Sequence, residues 1–296
     1  MHQFSILTPT YNRAKYLPRI YDCLCQQGDI DFEWIIVDDG SSDNTREVVS
    51  GFEKKFEIKY TYQENAGKPT AMNVGLQMAN SYITLFSLDD EDILYPDVLK
   101  TVWSYFDIKT GRFDQGCVCL TGLCRYNTGE ISGGEFPHDY IISDYIRYVQ
   151  NRGIGGDRCE FFITNILKQY PFPIIENEKN IAPSIILARI ALTHKTIYVN
   201  QVFQEKQYLE GGLSSQNYKM KYPLGAELLH NEKSIPPYRL KLQLNNTVSY
   251  IYYAKINHKK NIFKNAKNKK IYPFGFCKYC VYKFRLFLEE HRLLKK

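Results

Sequence analysis

The chain lacks the long uncharged apolar run that a membrane-spanning helix requires. Its longest mostly apolar stretch, residues 181–199, is interrupted by Arg189, His194 and Lys195, whereas a spanning helix needs about 18 apolar residues in a row. The N-terminus also lacks the basic start and apolar segment of a secretory leader, because a strand-like pattern already begins at Gln3. We therefore expect the chain to act in the cytoplasm.

The sequence also lacks a convincing metal or redox motif built from cysteine. Cys277 and Cys280 have the spacing of half a zinc site, but no second pair with metal-ligand spacing accompanies them. We expect the eight cysteines to be reduced and to act mainly as small buried apolar residues. With 44% hydrophobic and 15% aromatic residues, the chain has ample material for a folded core.

Charge is distributed unevenly along the chain. The net charge of +6 is the sum of a C-terminal segment, residues 241–296, with a net charge of +12 and a preceding body with a net charge of −6. A basic segment attached to an acidic body favours contact with an anionic surface or polyanion.

Strand-like and helical patterns alternate four times in the first 106 residues. This alternation predicts an α/β fold with a mostly parallel sheet flanked by helices, and a helical, basic C-terminal extension beyond it. We expect one domain over residues 1–235 and the extension over residues 236–296. The predicted strands are residues 4–8, 34–37, 58–62 and 82–86, and the predicted helices are residues 15–27, 44–56, 70–79 and 96–106.

Each of the four predicted strands is followed by polar residues. In parallel sheets of this kind ligands bind beyond the carboxyl ends of the strands. Two of these strand ends are dense with carboxylates, which repel one another unless a cation binds among them. A divalent metal together with an anionic ligand accounts for the pattern. The segments are Pro9–Arg13, Asp38–Ser42, Glu64–Lys68 and Ser87–Asp92.

These segments resemble the motifs of family 2 glycosyltransferases of the GT-A (Rossmann-like) fold, among them bacterial enzymes that build capsular and other surface polysaccharides. The resemblance is specific over about the first 110 residues and looser through residues 170–173 and 208–214. It rests on Ser5-Ile-Leu-Thr-Pro-Thr-Tyr-Asn-Arg13, Val37-Asp-Asp-Gly-Ser-Ser-Asp43, Asn65-Ala-Gly-Lys68 and Leu88-Asp-Asp-Glu-Asp92.

The resemblance implies a nucleotide-sugar donor, usually based on uridine diphosphate (UDP), and transfer with inversion at the anomeric carbon. Asp39 is then expected to accept a hydrogen bond from N3–H of uracil, and Lys68 either to balance the charge of the diphosphate or to contact the base. A buried aspartate would reject bases that lack this proton, since its own charge would be left unpaired. The other expected nucleotide-binding residues are Thr8, Pro9, Tyr11, Arg13, Asp89 and Asp90.

The segment Leu88–Asp92 occupies the place of the family's DXD metal motif. Glu91 and Asp89 are the expected metal ligands, and hard carboxylate oxygens suit Mn²⁺ or Mg²⁺. The family usually has aspartate where Glu91 stands, so the longer side chain changes the geometry of the site.

The catalytic base is not where the resemblance predicts it. An inverting transfer needs a carboxylate to take the proton of the acceptor hydroxyl, and the family supplies it just before a helix at the position of Pro183. Proline has no ionisable group. Among the nearby carboxylates Glu176, Glu178 and Asp157, we assign the role to Glu178. The alternative is that Glu178 only positions other groups.

The C-terminal segment has two interpretations. Helical spacing places Phe276, Cys280 and Phe284, with Phe287, Leu288 and Leu294, on one side, and Lys278, Arg285 and Lys296 on the other. Such a helix either lies on the inner face of an anionic membrane or packs on the rest of the protein. No nucleic-acid recognition motif is present, so we expect no nucleic-acid partner.

The sequence thus predicts a metal-dependent inverting glycosyltransferase that uses a nucleotide-sugar donor and a glycan acceptor, expected to be lipid-linked. The alternative is a non-catalytic subunit that binds nucleotide sugar, which the proline at position 183 favours. A nucleotidyltransferase on a related sheet is a further alternative, although no Gly-rich phosphate loop lies near the N-terminus. A dinucleotide oxidoreductase is disfavoured because no Gly-x-Gly-x-x-Gly follows the first strand.

Overall fold

The four apolar runs of the first 90 residues form neighbouring strands of one sheet. The computed structural model describes residues 1–89, 92–106, 116–206 and 221–290, the side chains of 287–290 excepted. Within these ranges β1 pairs in parallel with both β2 and β4, and β2 pairs in parallel with β3. These strands are β1 (His2–Thr10), β2 (Phe32–Asp38), β3 (Glu57–Tyr62) and β4 (Ser81–Leu85).

Helices connect these strands as the alternation of patterns predicts. The second helix is shorter than predicted and ends before Gly51. A short 3₁₀ turn, Ala14–Tyr16, precedes the first helix. The helices are α1 (Leu17–Leu24), α2 (Thr45–Ser50), α3 (Lys68–Met78) and, after β4, α4 (Val98–Phe106).

The sheet continues beyond β4 with strands of both directions. The strand order is β3-β2-β1-β4-β8-β6-β9-β5, and β7 pairs with β9. The long strands β6 and β9 are parallel, whereas β8 lies antiparallel between β4 and β6. The predicted α/β class is confirmed. The remaining strands are β5 (Ile93–Leu94), β6 (Cys117–Tyr126), β7 (Tyr140–Ser143), β8 (Arg158–Ile163) and β9 (Lys195–Lys206).

The chain divides into two compact units. One comprises Met1–Ile174 with Ile186–Gly212, and the other Ile175–Ile185 with Leu213–Lys296. The domain boundary expected after residue 235 stays a prediction. The later helices are α5 (Thr164–Leu167), α6 (Ser184–Ile190), α7 (Pro223–Glu232), α8 (Leu240–Ile256), α9 (Ile262–Asn265) and α10 (Tyr272–Glu290), with a π-helical turn at Ile146–Gln150.

The main core lies between the sheet and the layer that contains α1 and α4. Phe4, Trp34 and Phe161 are fully buried there, and each such side chain stabilises the fold by about 1.5–3 kcal/mol relative to an exposed one. The indole nitrogen of Trp34 donates to the hydroxyl of Thr8 at 2.9 Å, so the one polar atom of this side chain is paired.

All eight cysteines are free thiols, as expected. The expectation that they are buried holds for five of them but is wrong for Cys25, Cys277 and Cys280, which are exposed. Cys277 and Cys280 lie within α10. Burial raises the pKa of Cys119 and Cys159 well above the ordinary value, so these thiols stay protonated and inert.

None of the helices in the described ranges is both long enough and apolar enough to cross a bilayer.

Gly122, on β6, gives a direct test of how tightly β6 and β9 pack. A Cβ atom at this position would overlap the ring of Phe203 on β9. We predict that Gly122→Ala lowers the free energy of unfolding by about 1–3 kcal/mol, measured by urea denaturation. Gly155→Ala is the matched control, because its Cβ would meet no atom within 4 Å. Equal stabilities of the two variants would contradict the packing described.

Candidate active site

The loops that follow β1 and β2 are fastened to each other by hydrogen bonds. The side-chain oxygen of Asn12 accepts from the backbone N–H of Ser42 at 2.7 Å, and the N–H of Asn12 donates to the hydroxyl of Ser41 at 2.8 Å. Asn12 has a φ of 53°, a left-handed conformation that asparagine tolerates better than most residues. The N–H of Ala14 donates to Asp43 at 3.0 Å. Two predicted motif segments thus form one surface.

Asp39 holds the loop between β3 and α3 in place. One carboxylate oxygen accepts from the amide of Gln63 at 2.7 Å and from the N–H of Ala66 at 2.9 Å, and the other accepts from the N–H of Gly67 at 2.8 Å. Asp39 is 5% exposed. A carboxylate can accept about four hydrogen bonds. Asp39 therefore has room for one further donor, which is the number that a uracil ring would supply.

Four of the other predicted nucleotide-binding residues, those that follow or end β1, occupy different environments. Thr8 is fully buried, and its hydroxyl pairs with Trp34 within the core. Pro9 is partly buried, whereas Tyr11 is 49% exposed. The guanidinium of Arg13 lies over the ring of Tyr16, 5.4 Å from its centre. Their roles in nucleotide binding stay predictions, and the side chain of Thr8 is directed to the core.

Lys68 and Asp89 form an ion pair at the edge where β4 ends. The Lys68 ammonium lies 2.6 Å from one oxygen of Asp89, which also accepts from the hydroxyl of Ser87 at 2.5 Å. Burial alone would raise the pKa of the Asp89 carboxyl, but Lys68 and Lys206 hold it well below the ordinary value. Asp89 therefore stays ionised. Asp90 and Glu91, the other predicted residues of this motif, lie outside the described residues.

Asp92 belongs to the interior. It is 3% exposed and accepts from the amide of Gln204 at 2.6 Å and from the ammonium of Lys206 at 2.7 Å. Burial raises its pKa to about 6. Sequence patterns gave no sign of Lys206, because it lies more than 110 residues along the chain from its partner.

One group of described residues has the spacing of a metal site, but at the opposite edge of the sheet. His2, Glu33 and Glu57 lie at the amino ends of β1, β2 and β3. The two ring nitrogens of His2 lie 2.7 Å from Asp31 and 2.7 Å from Glu57. Asp31, opposed by burial and assisted by Glu57, raises the pKa of His2. The contacts of His2 with Asp31 and Glu57, and the ion pair of Glu33 with Lys59, account for this group without a metal ion.

Glu178, the predicted base, lies in the second compact unit. One carboxylate oxygen accepts from the N–H of Gly225, in the first turn of α7, at 3.0 Å, and the other accepts from the N–H of Asn180 at 3.2 Å. Burial raises its pKa. These contacts tie residues 175–185 to the start of α7 and stabilise negative charge at a helix N-terminus. The catalytic role of Glu178 stays a prediction.

The comparisons with known proteins concern the N-terminal part most directly. Residues 5–120 match the family model for glycosyl transferase family 2. The match covers 116 of the 296 residues and includes all four strand ends that carry the predicted motifs. The chain is 38% identical over 102 residues to a validoxylamine A glucosyltransferase of Streptomyces hygroscopicus subsp. jinggangensis, covering 33% of the chain and 24% of that protein. The matched segments span between 13% and 33% of the first curated relatives.

Solved structures establish the fold. The chain superposes on S. aureus TarS residues 1–349 in complex with UDP-GlcNAc with a TM-score of 0.65 and 17% identity, covering 94% of this chain and 80% of that one. The superposition on a mannosyltransferase from Pyrobaculum calidifontis in complex with GDP-Man and Mn²⁺ has a TM-score of 0.57 at 16% identity. It covers 86% of this chain and 74% of that one. The predicted GT-A fold is thereby confirmed.

The hydrogen bonds of Asp39 predict a measurable effect on stability. Asp39→Ala leaves the N–H groups of Ala66 and Gly67 and the amide of Gln63 without their acceptor, so we expect a loss of about 3 kcal/mol in the free energy of unfolding. Urea denaturation would measure it, with Asp22→Ala, on an exposed face of α1, as the control. A loss no larger than that of the control would show that Asp39 does not hold this loop.

Proposed function

We propose that the chain is a glycosyltransferase that uses a UDP-sugar donor. The proposal rests on one observation. Asp39, Lys68 and Asp89 lie at the same sheet edge as the loops after β1 and β2, within the region that matches the family 2 model. TarS, to which the fold is similar, was solved with UDP-GlcNAc. The identity of the sugar is a separate question from the class of donor.

Uracil recognition rests on the remaining acceptor capacity of Asp39. Its other donors are backbone and amide groups that fix the carboxylate in one orientation. A base with an N–H at the matching position completes the set, whereas a base that presents a lone pair there faces a buried negative charge. This selects uracil over cytosine.

The diphosphate would lie near Lys68 and Asp89. Lys68 supplies positive charge, and the ionised Asp89 with Glu91 supplies hard oxygen ligands that fit Mn²⁺ or Mg²⁺. Lys68 and Ser87 both contact the same oxygen of Asp89, so within the described residues its second carboxylate oxygen is available to a metal ion. A bound ion would neutralise the charge that develops on the leaving diphosphate.

The reaction we propose inverts the anomeric centre and has a surface glycan, lipid-linked, as acceptor. Both carboxylate oxygens of Glu178, the base predicted from the sequence, accept from backbone N–H groups, so the proposed reaction needs another carboxylate as its base. The rival function is a non-catalytic subunit that binds nucleotide sugar. Pro183 at the expected position of the base, and the engagement of both Glu178 oxygens with backbone N–H groups, favour that rival. Release of UDP from a donor sugar distinguishes the two.

Peripheral membrane contact is proposed through α10. One face of α10 packs on α8: Gly275 approaches Thr247 too closely for a Cβ atom, and Tyr279 is 5% exposed with the Lys255 ammonium 4.7 Å from its ring centre. The helix is docked, but through Gly275 and Tyr279 and not through the predicted apolar side, whose Phe276, Cys280 and Phe284 are exposed. The other face carries Phe274, Cys277, Val281 and Phe284, all exposed, at intervals of three and four residues.

An anionic membrane is the occupant that fits this exposed face. The segment 241–296 has a net charge of +12, and each basic residue near an anionic surface contributes about 1 kcal/mol. The membrane would bring the enzyme to a lipid-linked acceptor. Part of the predicted apolar side, Phe287, Leu288 and Leu294, has side chains outside the described residues.

Calorimetry with UDP and Mn²⁺ tests the proposed donor site. We expect UDP to bind at least about 10-fold more tightly than CDP, because cytosine lacks the proton that Asp39 accepts. Mn²⁺ should strengthen UDP binding in the wild type but not in Glu91→Ala. Asp92→Asn is the control and should keep the Mn²⁺ effect, since Asp92 pairs with Gln204 and Lys206. An undiminished Mn²⁺ effect in Glu91→Ala would remove Glu91 from the ligands.

Vesicle sedimentation tests the exposed face of α10. Phe274→Ser combined with Phe284→Ser should weaken binding to phosphatidylglycerol-rich vesicles by roughly 10-fold or more, because each buried aromatic side chain contributes about 1.5–3 kcal/mol. Leu192→Ser, at a residue that is 57% exposed, is the control. Unchanged sedimentation would refute the membrane role. A concentration-dependent dimer that only the double variant loses would assign the face to a second copy of the chain.

A further inference from the structure

Glu160 lies at the same sheet edge as the proposed donor site, although no motif includes it. On β8 its neighbours Cys159 and Phe161 point into the main core, so alternation directs Glu160 to the opposite face, where α3 lies. The N–H of Phe86 donates to the backbone oxygen of Glu160 at 3.0 Å. Asp89 follows Phe86 by three residues. Glu160 therefore lies next to the C-terminal end of β4, just before the predicted metal motif begins.

The charges around Glu160 connect it to that motif. Lys206 and Arg158 attract its carboxylate, and Asp157 repels it. Lys206 also pairs with Asp92 at 2.7 Å and interacts with Asp89. One ammonium group therefore lies among the carboxylates of Glu160, Asp92 and Asp89.

Other titratable groups near Glu160 are neutral at ordinary pH. Burial raises the pKa of Tyr145 and Tyr198, and it does the same for the thiols of Cys119, Cys124 and Cys159. None of these groups competes with Glu160 for a proton near neutral pH.

Glu160 differs from the other carboxylates of this region in its hydrogen bonds. Asp39, Asp89 and Asp92 each accept from at least two donors. The Glu160 carboxylate accepts from none among residues 1–89, 92–106, 116–206 and 221–290, and it remains partly exposed. Burial raises its pKa to about 8. A carboxylate without donors is costly for folding and is a strong base once ionised.

We infer that Glu160 is the base that takes the proton from the attacking hydroxyl of the acceptor, an inference that rests on the proposed transferase function. The acceptor oxygen forms a bond to the anomeric carbon as the bond from that carbon to the diphosphate oxygen breaks. The electron pair leaves with UDP, and the hydroxyl proton moves to a carboxylate oxygen of Glu160. This assignment supplies the carboxylate that Pro183 does not.

Glu178 is the matched comparison for the experiment. Both residues are glutamates in the chain's described part, but Glu178 accepts from Gly225 and Asn180 whereas the Glu160 carboxylate accepts from no described donor. Substitution by glutamine removes the basic oxygen in each case and keeps the shape. Replacing Glu178 should disturb the backbone contacts of α7, while replacing Glu160 should break no hydrogen bond to its side chain.

The test measures UDP release from a panel of UDP-sugars that includes UDP-GlcNAc, with Mn²⁺ and water as acceptor. We expect Glu160→Gln to lower kcat by about 100-fold or more, within the usual range for a general base, while UDP affinity and KM stay within about 2-fold of the wild type. In the wild type kcat should rise with pH towards about 8, and this dependence should disappear in Glu160→Gln. Glu178→Gln should keep it.

Folding is not expected to limit this experiment. An unfolded glutamate ionises near 4.5 and the folded Glu160 near 8, so the folded state loses stability as the pH rises between these values. Glutamine carries no charge, and Glu160→Gln should be at least as stable as the wild type at pH 8, by urea denaturation.

Three results are informative in different ways. A wild type that neither binds UDP nor releases it from any donor contradicts the proposed function itself. A wild type that is active while Glu160→Gln keeps its kcat and its pH dependence overturns the assignment of the base, and loss of turnover in Glu178→Gln alone would then give the role to Glu178. Loss of UDP affinity in Glu160→Gln would make it a binding residue and would also overturn the inference.

Discussion

Parallel pairing of β1 with β2 and β4 is the constraint on which the candidate site depends. Parallel strands that run in the same direction must end at the same edge of the sheet, and here β3 joins them through β2. The loops that follow these strands therefore lie close together in space, although they are far apart in the sequence. Two of them, after β1 and β2, are bonded to each other through Asn12.

Carboxylates collected at one edge repel one another, and the structure gives each one a different partner. Backbone N–H groups hold Asp39, and ammonium groups hold Asp89 and Asp92. Within the described part of the chain the Glu160 carboxylate has charged neighbours but no hydrogen-bond donor. Asp89 and Glu160 therefore differ in their affinity for a proton. Asp89 stays ionised near Lys68, whereas burial raises the pKa of Glu160. Metal binding and proton transfer need these two opposite properties.

In the second compact unit, α10 has one packed face and one exposed face. Gly275 and Tyr279 bring α10 against α8, where Tyr250 and Ile251 form a small core. The exposed residues Phe274, Val281 and Phe284 remain on the other side. An apolar stripe of this length on a helix that is already packed costs solubility, which is why a partner surface is expected there.

The amino-acid sequence by itself determined the first four strands, the order of the motifs and the fold class, because buried parallel strands are continuous apolar runs such as Trp34–Val37 that are readable locally. It also predicted that Asp39, Lys68 and Asp89 follow neighbouring strands at one edge of the sheet, while their roles in binding stay predictions. Only the tertiary structure decided what those side chains contact. Thr8 follows the pattern of the site yet is paired with Trp34, and Lys206 reaches Asp92 from a strand far along the chain. Glu160 gave no local signal, since a lone glutamate in a strand acquires its proton affinity from burial and from charges that the fold brings to it.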